Sequence, residues 1–175
     1  MNLKGFVFGI FLLTATVACS TTDPASNAAV NSTKPQQPEE RISLNINEVV
    51  YFDFFKYDTL WTGNLTVYTM NSEGEKVIQS EYVSAQDSSW NDFNNLVQFL
   101  DIYEITPQNE IEDWVPDSSQ LPRRVYSFEV FDGDTTRSFS YQDPINGIRD
   151  FWQAQSLLTF VTFIQNDLKW VVKPD

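Results

Sequence analysis

A chain of 175 residues with 42% hydrophobic and 15% aromatic content is built for a globular core. It holds no histidine and one cysteine, Cys19, which excludes Ser-His-Asp and Cys-His catalysis in their usual forms, the usual zinc sites and any intrachain disulfide. The formal charge of −13, from 24 acidic and 11 basic residues, repels nucleic acid and anionic headgroups.

Residues 1–18 have the pattern of an export leader. One cation, Lys4, precedes an unbroken apolar run from Gly5 to Leu13, and small or apolar residues follow to Ala18. The run is shorter than the roughly 20 residues a transmembrane helix needs, so it reads as a signal peptide. Thr16-Val17-Ala18-Cys19 resembles a bacterial lipobox, with Thr16 where leucine is usual. The resemblance implies that the Cys19 thiol carries a diacylglycerol, that cleavage falls before it, and that the partner of this end is a membrane. Ser20 in the next position implies, by resemblance to the sorting rule of enteric bacteria, the outer membrane. The leader carries one of the 11 basic residues and none of the 24 acidic ones, so the chain after cleavage carries 10 basic and 24 acidic residues, a net charge of −14.

Residues 20–41 are rich in Ser, Thr, Asn, Ala, Pro and Gln, with Pro24, Pro35 and Pro38. Such a segment has too little apolar surface to fold and reads as a tether with a reach of about 25 Å. Residues 19–41 are thus the lipidated cysteine and tether, and residues 42–175 a single domain. Without a disulfide, that domain rests on its apolar core. A length of this order buries roughly two-thirds of the unfolded surface.

The domain begins with strand patterns. Glu48 to Tyr57 packs Val49, Val50, Tyr51, Phe52, Phe54, Phe55 and Tyr57 into ten positions, which predicts a central strand covered on both faces. The alternative for the same stretch is an exposed aromatic platform for a sugar or peptide. Thr62 to Met70 and Lys76 to Ser84 flank Asn71-Ser72-Glu73-Gly74, a turn signal, and form a hairpin. Ser89 opens a helix, in which Trp90, Phe93, Val97 and Leu100 fall at i, i+3, i+7 and i+10.

Residues 102–123 break the periodicity with Pro107, Pro116 and Pro122 and carry five acidic residues. A second hairpin, Arg124 to Phe131 and Thr135 to Tyr141, turns at Asp132-Gly133. From Ile148, the residues Phe151, Ala154, Leu158 and Val161 lie at helical spacing, though the Val, Thr and Phe content of Leu157 to Ile164 also suits a strand. Leu168 to Val172 ends the domain as a strand. The fold predicted is α+β, an antiparallel sheet with two helices packed on one face. A ββα + ββα repeat is a possible origin, since ββα units are common in such domains.

The segment 102–123 is the candidate binding region, because long ordered connections are often functional. Glu110, Glu112 and Asp113 cluster beside Trp114, and Arg123 and Arg124 at its end are placed to pair with those acids. Trp114 reads either as a lid folded onto the core or as an exposed anchor of the kind enriched at binding hot spots. Asp132-Gly133-Asp134 lacks the further oxygen ligands and closing Glu of a calcium loop and reads as a hairpin turn. No glycine-rich phosphate loop or G-x-S-x-G motif occurs. The pattern calls for no cofactor, no metal and no catalytic residue. The leading expectation is a lipid-anchored, non-catalytic binding or accessory protein with an envelope protein as partner. The alternatives are an inhibitor or immunity-type protein blocking a basic enzyme or toxin, and a glycan hydrolase working through two carboxylates.

Overall fold

Among the described residues, seven antiparallel strands form one sheet, in the order β6-β5-β1-β2-β3-β4-β7, and two α-helices complete the α+β architecture. The computed structural model describes residues 36–85, 89–115 and 121–173. The described residues belong to one compact unit. The leader, Cys19 and the tether as far as residue 35 lie outside the described residues.

The first strand, β1 (Glu40–Ile46), extends into the segment assigned from sequence to the tether. Glu40 and Arg41 join the strand because both are held. Lys56 and the Tyr103 hydroxyl donate to the Glu40 carboxylate, and Arg41 pairs with Glu129. Burial, and then the Glu40 carboxylate, raise the Tyr103 hydroxyl well above its usual range, so it stays a donor. Ile42 and Leu44 point inward and are fully buried. Asn47 and Glu48, both at positive φ (53° and 57°), turn the chain back into β2 (Val50–Tyr57), and the Val49 N–H donates to the Ile46 carbonyl at 3.0 Å.

β2 is the middle strand, between β1 and β3 (Leu60–Met70). It is not covered on both faces. Phe52 and Phe54 are buried, whereas Tyr51, Asp53, Phe55 and Tyr57, which point the other way, are only half-buried. β3 pairs with β4 (Lys76–Ser84) through a bulge that skips Gln79. The extra residue brings Lys76 and Ile78 onto the same face as Tyr51 and Tyr68. There the Lys76 ammonium sits 4.3 Å and 4.5 Å from the two ring centroids.

Helix α1 (Ser89–Phe99) buries Phe93 and Val97, the centre of the stripe read from sequence. Helix α2 (Trp152–Asn166) buries Ala154, Leu157, Phe160, Val161 and Ile164. Its stripe therefore runs through Leu157, with Leu158 only half-buried, and the β-prone residues near Val161 are helical because helical spacing sets what they bury. Both helices press rings onto one face of the sheet. Phe54 lies 4.7 Å from Phe93 and 6.3 Å from Phe160, and Phe160 also meets Phe128 at 6.1 Å. The Trp170 indole N–H donates to the Ile164 carbonyl at 3.0 Å, satisfying one acceptor of the last turn of α2, and places the short edge strand β7 (Trp170–Val172) against β4.

The second hairpin is β5 (Val125–Phe131) and β6 (Thr136–Gln142). The Asp132 carboxylate accepts the N–H groups of Asp134 and Thr135 at 2.9 Å and 2.8 Å, and the Thr135 hydroxyl at 3.0 Å. These bonds hold its pKa below the usual carboxylate value. Its oxygens serve the turn, and Gly133 supplies the positive φ of 103°.

Candidate functional site

The connection between α1 and β5 is fastened to β6 by side chains that reach backbone groups. Arg137 donates to the carbonyls of Tyr103 and Ile105, and the Tyr141 hydroxyl donates to that of Thr106. Burial raises the Tyr141 hydroxyl above its usual range, which keeps it protonated as that donor. Gln108 is 3% exposed. Its side-chain amide accepts the Gln142 N–H at 2.7 Å and donates to the Gln142 carbonyl at 3.2 Å, pairing with the last residue of β6 as another strand would. The described part of the connection up to Gln108 is thereby held in place by side-chain bonds.

Trp114 is the lid on the core. It is 7% exposed, stacks on Phe151 at 4.6 Å with the rings 3° from parallel, and meets Tyr141 at 5.6 Å. The backbone of Gly147 passes so close that a Cβ there would lie 2.9 Å from the indole. The exposed-anchor reading of Trp114 is corrected accordingly, since its ring is engaged within the domain. Asp113, before it, takes a positive φ of 65°.

The sequence pattern paired Arg123 and Arg124 with Glu110, Glu112 and Asp113. Among the described residues no such ion pair forms, and the three acids are exposed at the surface. The main chain of the two arginines is fixed by other groups. Both oxygens of Asp143 accept N–H groups, from Arg123 at 2.9 Å and Arg124 at 2.7 Å, and the Asp143 N–H returns a bond to the Arg124 carbonyl at 2.8 Å. From the other side Asn47 donates its amide to the Arg123 carbonyl at 3.1 Å and accepts the Val125 N–H at 2.7 Å. The Asn47 N–H also donates to the Val125 carbonyl at 2.9 Å. Every backbone polar group of residues 123–125 is thus bonded, and both arginines are exposed. Arg124 makes one long contact to the Tyr126 hydroxyl at 3.4 Å, which raises its pKa further.

Beside this clamp lies a hollow of about 480 Å³. Trp114, Val115, Leu121, Pro122 and Ile145 form its apolar lining, and Gln108, Arg123, Gln142, Asp143 and Asn146 its polar lining. A smaller hollow of about 230 Å³, between Arg124, Tyr126 and Leu158, shares Arg123, Asp143 and Ile145 with it. Of the sequence candidates, Trp114 and Arg123 come together in the larger hollow and Arg123 and Arg124 in the smaller. Glu110, Glu112 and Asp113 line neither.

Sequence reasoning missed Asn47, Gln108, Asp143 and Ile145. The Asp143-Pro144 pair signalled a turn, and Pro144 does open a short 3-10 helix, Pro144–Gly147. Nothing local signalled that the Asp143 carboxylate would hold a segment twenty residues earlier. Among the described residues, no group of three His, Cys, Asp or Glu side chains is placed to hold a metal, and no helix is long and apolar enough to cross a membrane. Comparisons of the chain with protein-family models, with curated proteins and with solved structures found no match.

Proposed function

We propose that this chain is a lipid-anchored envelope protein, held at the outer membrane through Cys19, whose folded part is a non-catalytic binding module acting through the hollow beside Arg123. The observation that carries the binding reading is the rim of that hollow. Val115, Leu121 and Ile145 are 83%, 92% and 59% exposed, grouped around a floor that Trp114, Gln108 and Asp143 hold in place. Apolar side chains clustered in the open on a rigid frame are the usual mark of a contact surface. Support for the anchor is the lone cysteine directly after the apolar leader.

Two experiments test the proposal. Labelled palmitate is expected in the wild-type chain and absent from Cys19→Ser, which is recovered in the soluble fraction; equal labelling of the two chains contradicts the anchor. For the module, Ile145→Glu is expected to abolish co-purification of the envelope partner while leaving the melting temperature within a few degrees of wild type. Undiminished recovery of the same partner contradicts the site.

A second reading, an inhibitor or immunity-type protein for a basic enzyme or toxin, draws support from Glu110, Glu112 and Asp113, which stand exposed on one connection of a strongly acidic chain. It requires that high salt release the partner and that Ile145→Glu leave it bound. The glycan hydrolase reading gains less. Asp143 is the one described carboxylate lining the larger hollow, and both its oxygens are occupied by backbone N–H groups.

The order hairpin then helix recurs, as β3–β4–α1 and β5–β6–α2, with the two hairpins on opposite sides of β1 and β2. This recurrence supports reading the domain as a ββα duplication into which the β1–β2 pair is set.

A further inference from the structure

We infer that the hollow captures the carboxy-terminus of a partner polypeptide, with the terminal carboxylate on Arg123 and the last, apolar side chain against Leu121 and Ile145. The inference rests on the reading of this hollow as the binding site and names its ligand.

The first argument is what remains free. Gln108 spends both ends of its amide on the main chain of Gln142, and Asp143 spends both oxygens on the N–H groups of Arg123 and Arg124. The polar groups left to a ligand are the Arg123 guanidinium and the side-chain amides of Gln142 and Asn146. A guanidinium beside neutral amides suits one planar anion attached to a group with peptide N–H and carbonyl positions.

The second argument is charge. Acidic residues outnumber basic ones 24 to 11, and Arg41, Lys56, Arg137 and Lys173 each have a glutamate partner within 4 Å. Among the described residues Arg123, like Arg124, has none, although Glu110, Glu112 and Asp113 are near it in sequence. A cation left unpaired on so acidic a surface is a local attraction for a single negative group. The surrounding field repels ligands that carry many, such as nucleic acid or an anionic lipid surface. A terminal carboxylate on a neutral or basic polypeptide matches both conditions.

The third argument is shape. The hollow's volume of about 480 Å³ lies within the roughly 300–1,000 Å³ of small-ligand sites, and Trp114, Leu121 and Ile145 supply an apolar wall next to the guanidinium.

The test uses the purified full chain in detergent and a pooled library of synthetic hexapeptides with apolar last residues, offered once as free acids and once as amides. Bound peptides are read by mass spectrometry. The expected result is enrichment of the free acids by about tenfold or more over the amides. Binding of the best peptide should weaken by a similar factor in Arg123→Gln and less in Arg123→Lys, as expected for loss of a charge-assisted bond. Equal recovery of acids and amides, abolished by Ile145→Glu, overturns the carboxylate and leaves the hollow as a binding site. Recovery of free acids that Ile145→Glu does not change places the site elsewhere and overturns both readings. Recovery of no peptide overturns the inference, as does Arg123-dependent binding to phosphatidylglycerol vesicles in place of peptides.

Discussion

Phe54→Ala is expected to lower the unfolding free energy by about 3–5 kcal/mol, the range for a buried phenylalanine truncated in a packed core. Phe54 is fully buried on the middle strand. Its ring meets Phe93 of α1, Phe160 of α2, Trp90 and Trp170 at centroid distances of 4.7 to 6.3 Å. One side chain therefore joins both helices and the C-terminal strand to the sheet, and the cavity left by its removal has no single neighbour able to fill it. Phe55→Ala is the control. Phe55 points to the opposite, half-buried face, and its truncation is expected to cost less than half as much. Denaturant titrations of the two variants decide the matter. Equal losses would mean that the face opposite the helices is covered as well.

The second large effect falls on the floor of the hollow. Trp114→Ala is expected to destabilise the domain by about 3–5 kcal/mol and to expose the segment 106–115 to limited proteolysis. The reason is the stack on Phe151 and the contact with Tyr141, which join the long connection to the start of α2 and to β6. Gly147→Val is expected to act in the same direction, because its side chain meets the indole. A solvent-facing binding anchor behaves otherwise. Its truncation leaves stability within roughly 0.5 kcal/mol of wild type, and that outcome would restore Trp114 to the exposed role that sequence reasoning held open.

The elements that sequence disclosed are those whose signal is local. The Asn71–Gly74 and Asp132–Gly133 turns lie between alternating segments, and α1 carries an unbroken apolar stripe, so the hairpins and that helix fall where the pattern puts them. β1 was legible in principle. Ile42, Leu44 and Ile46 alternate strictly and Asn47 follows them, but the low-complexity segment just before drew the strand's first two residues into the tether. The covering of β2 was not legible, because apolar residues on both faces of a strand give no indication of which face the helices take. Nor was the bulge in β4, which depends on the pairing with β3.

The site was legible in composition and illegible in geometry. Trp114 and Arg123 stood out by residue type. What makes them neighbours is a set of bonds between residues distant in sequence, from Asp143, Asn47 and Gln108, and single polar side chains in such roles leave no periodic trace. The same bonds explain why the acids and arginines of one connection do not pair. The main chain of Arg123 and Arg124 is fixed by Asp143 and Asn47, and an exposed ion pair contributes too little, about 0–1 kcal/mol, to override that placement.

The claim that the hollow beside Arg123 is the working surface of an anchored protein is tested most directly by placing a photo-crosslinking residue at position 145 in the full chain in intact cells. The comparison is the same residue at position 78, exposed on the opposite side of the sheet. The account predicts a discrete crosslinked species from position 145 and none from position 78. An adduct from position 78, with none from position 145, would contradict it.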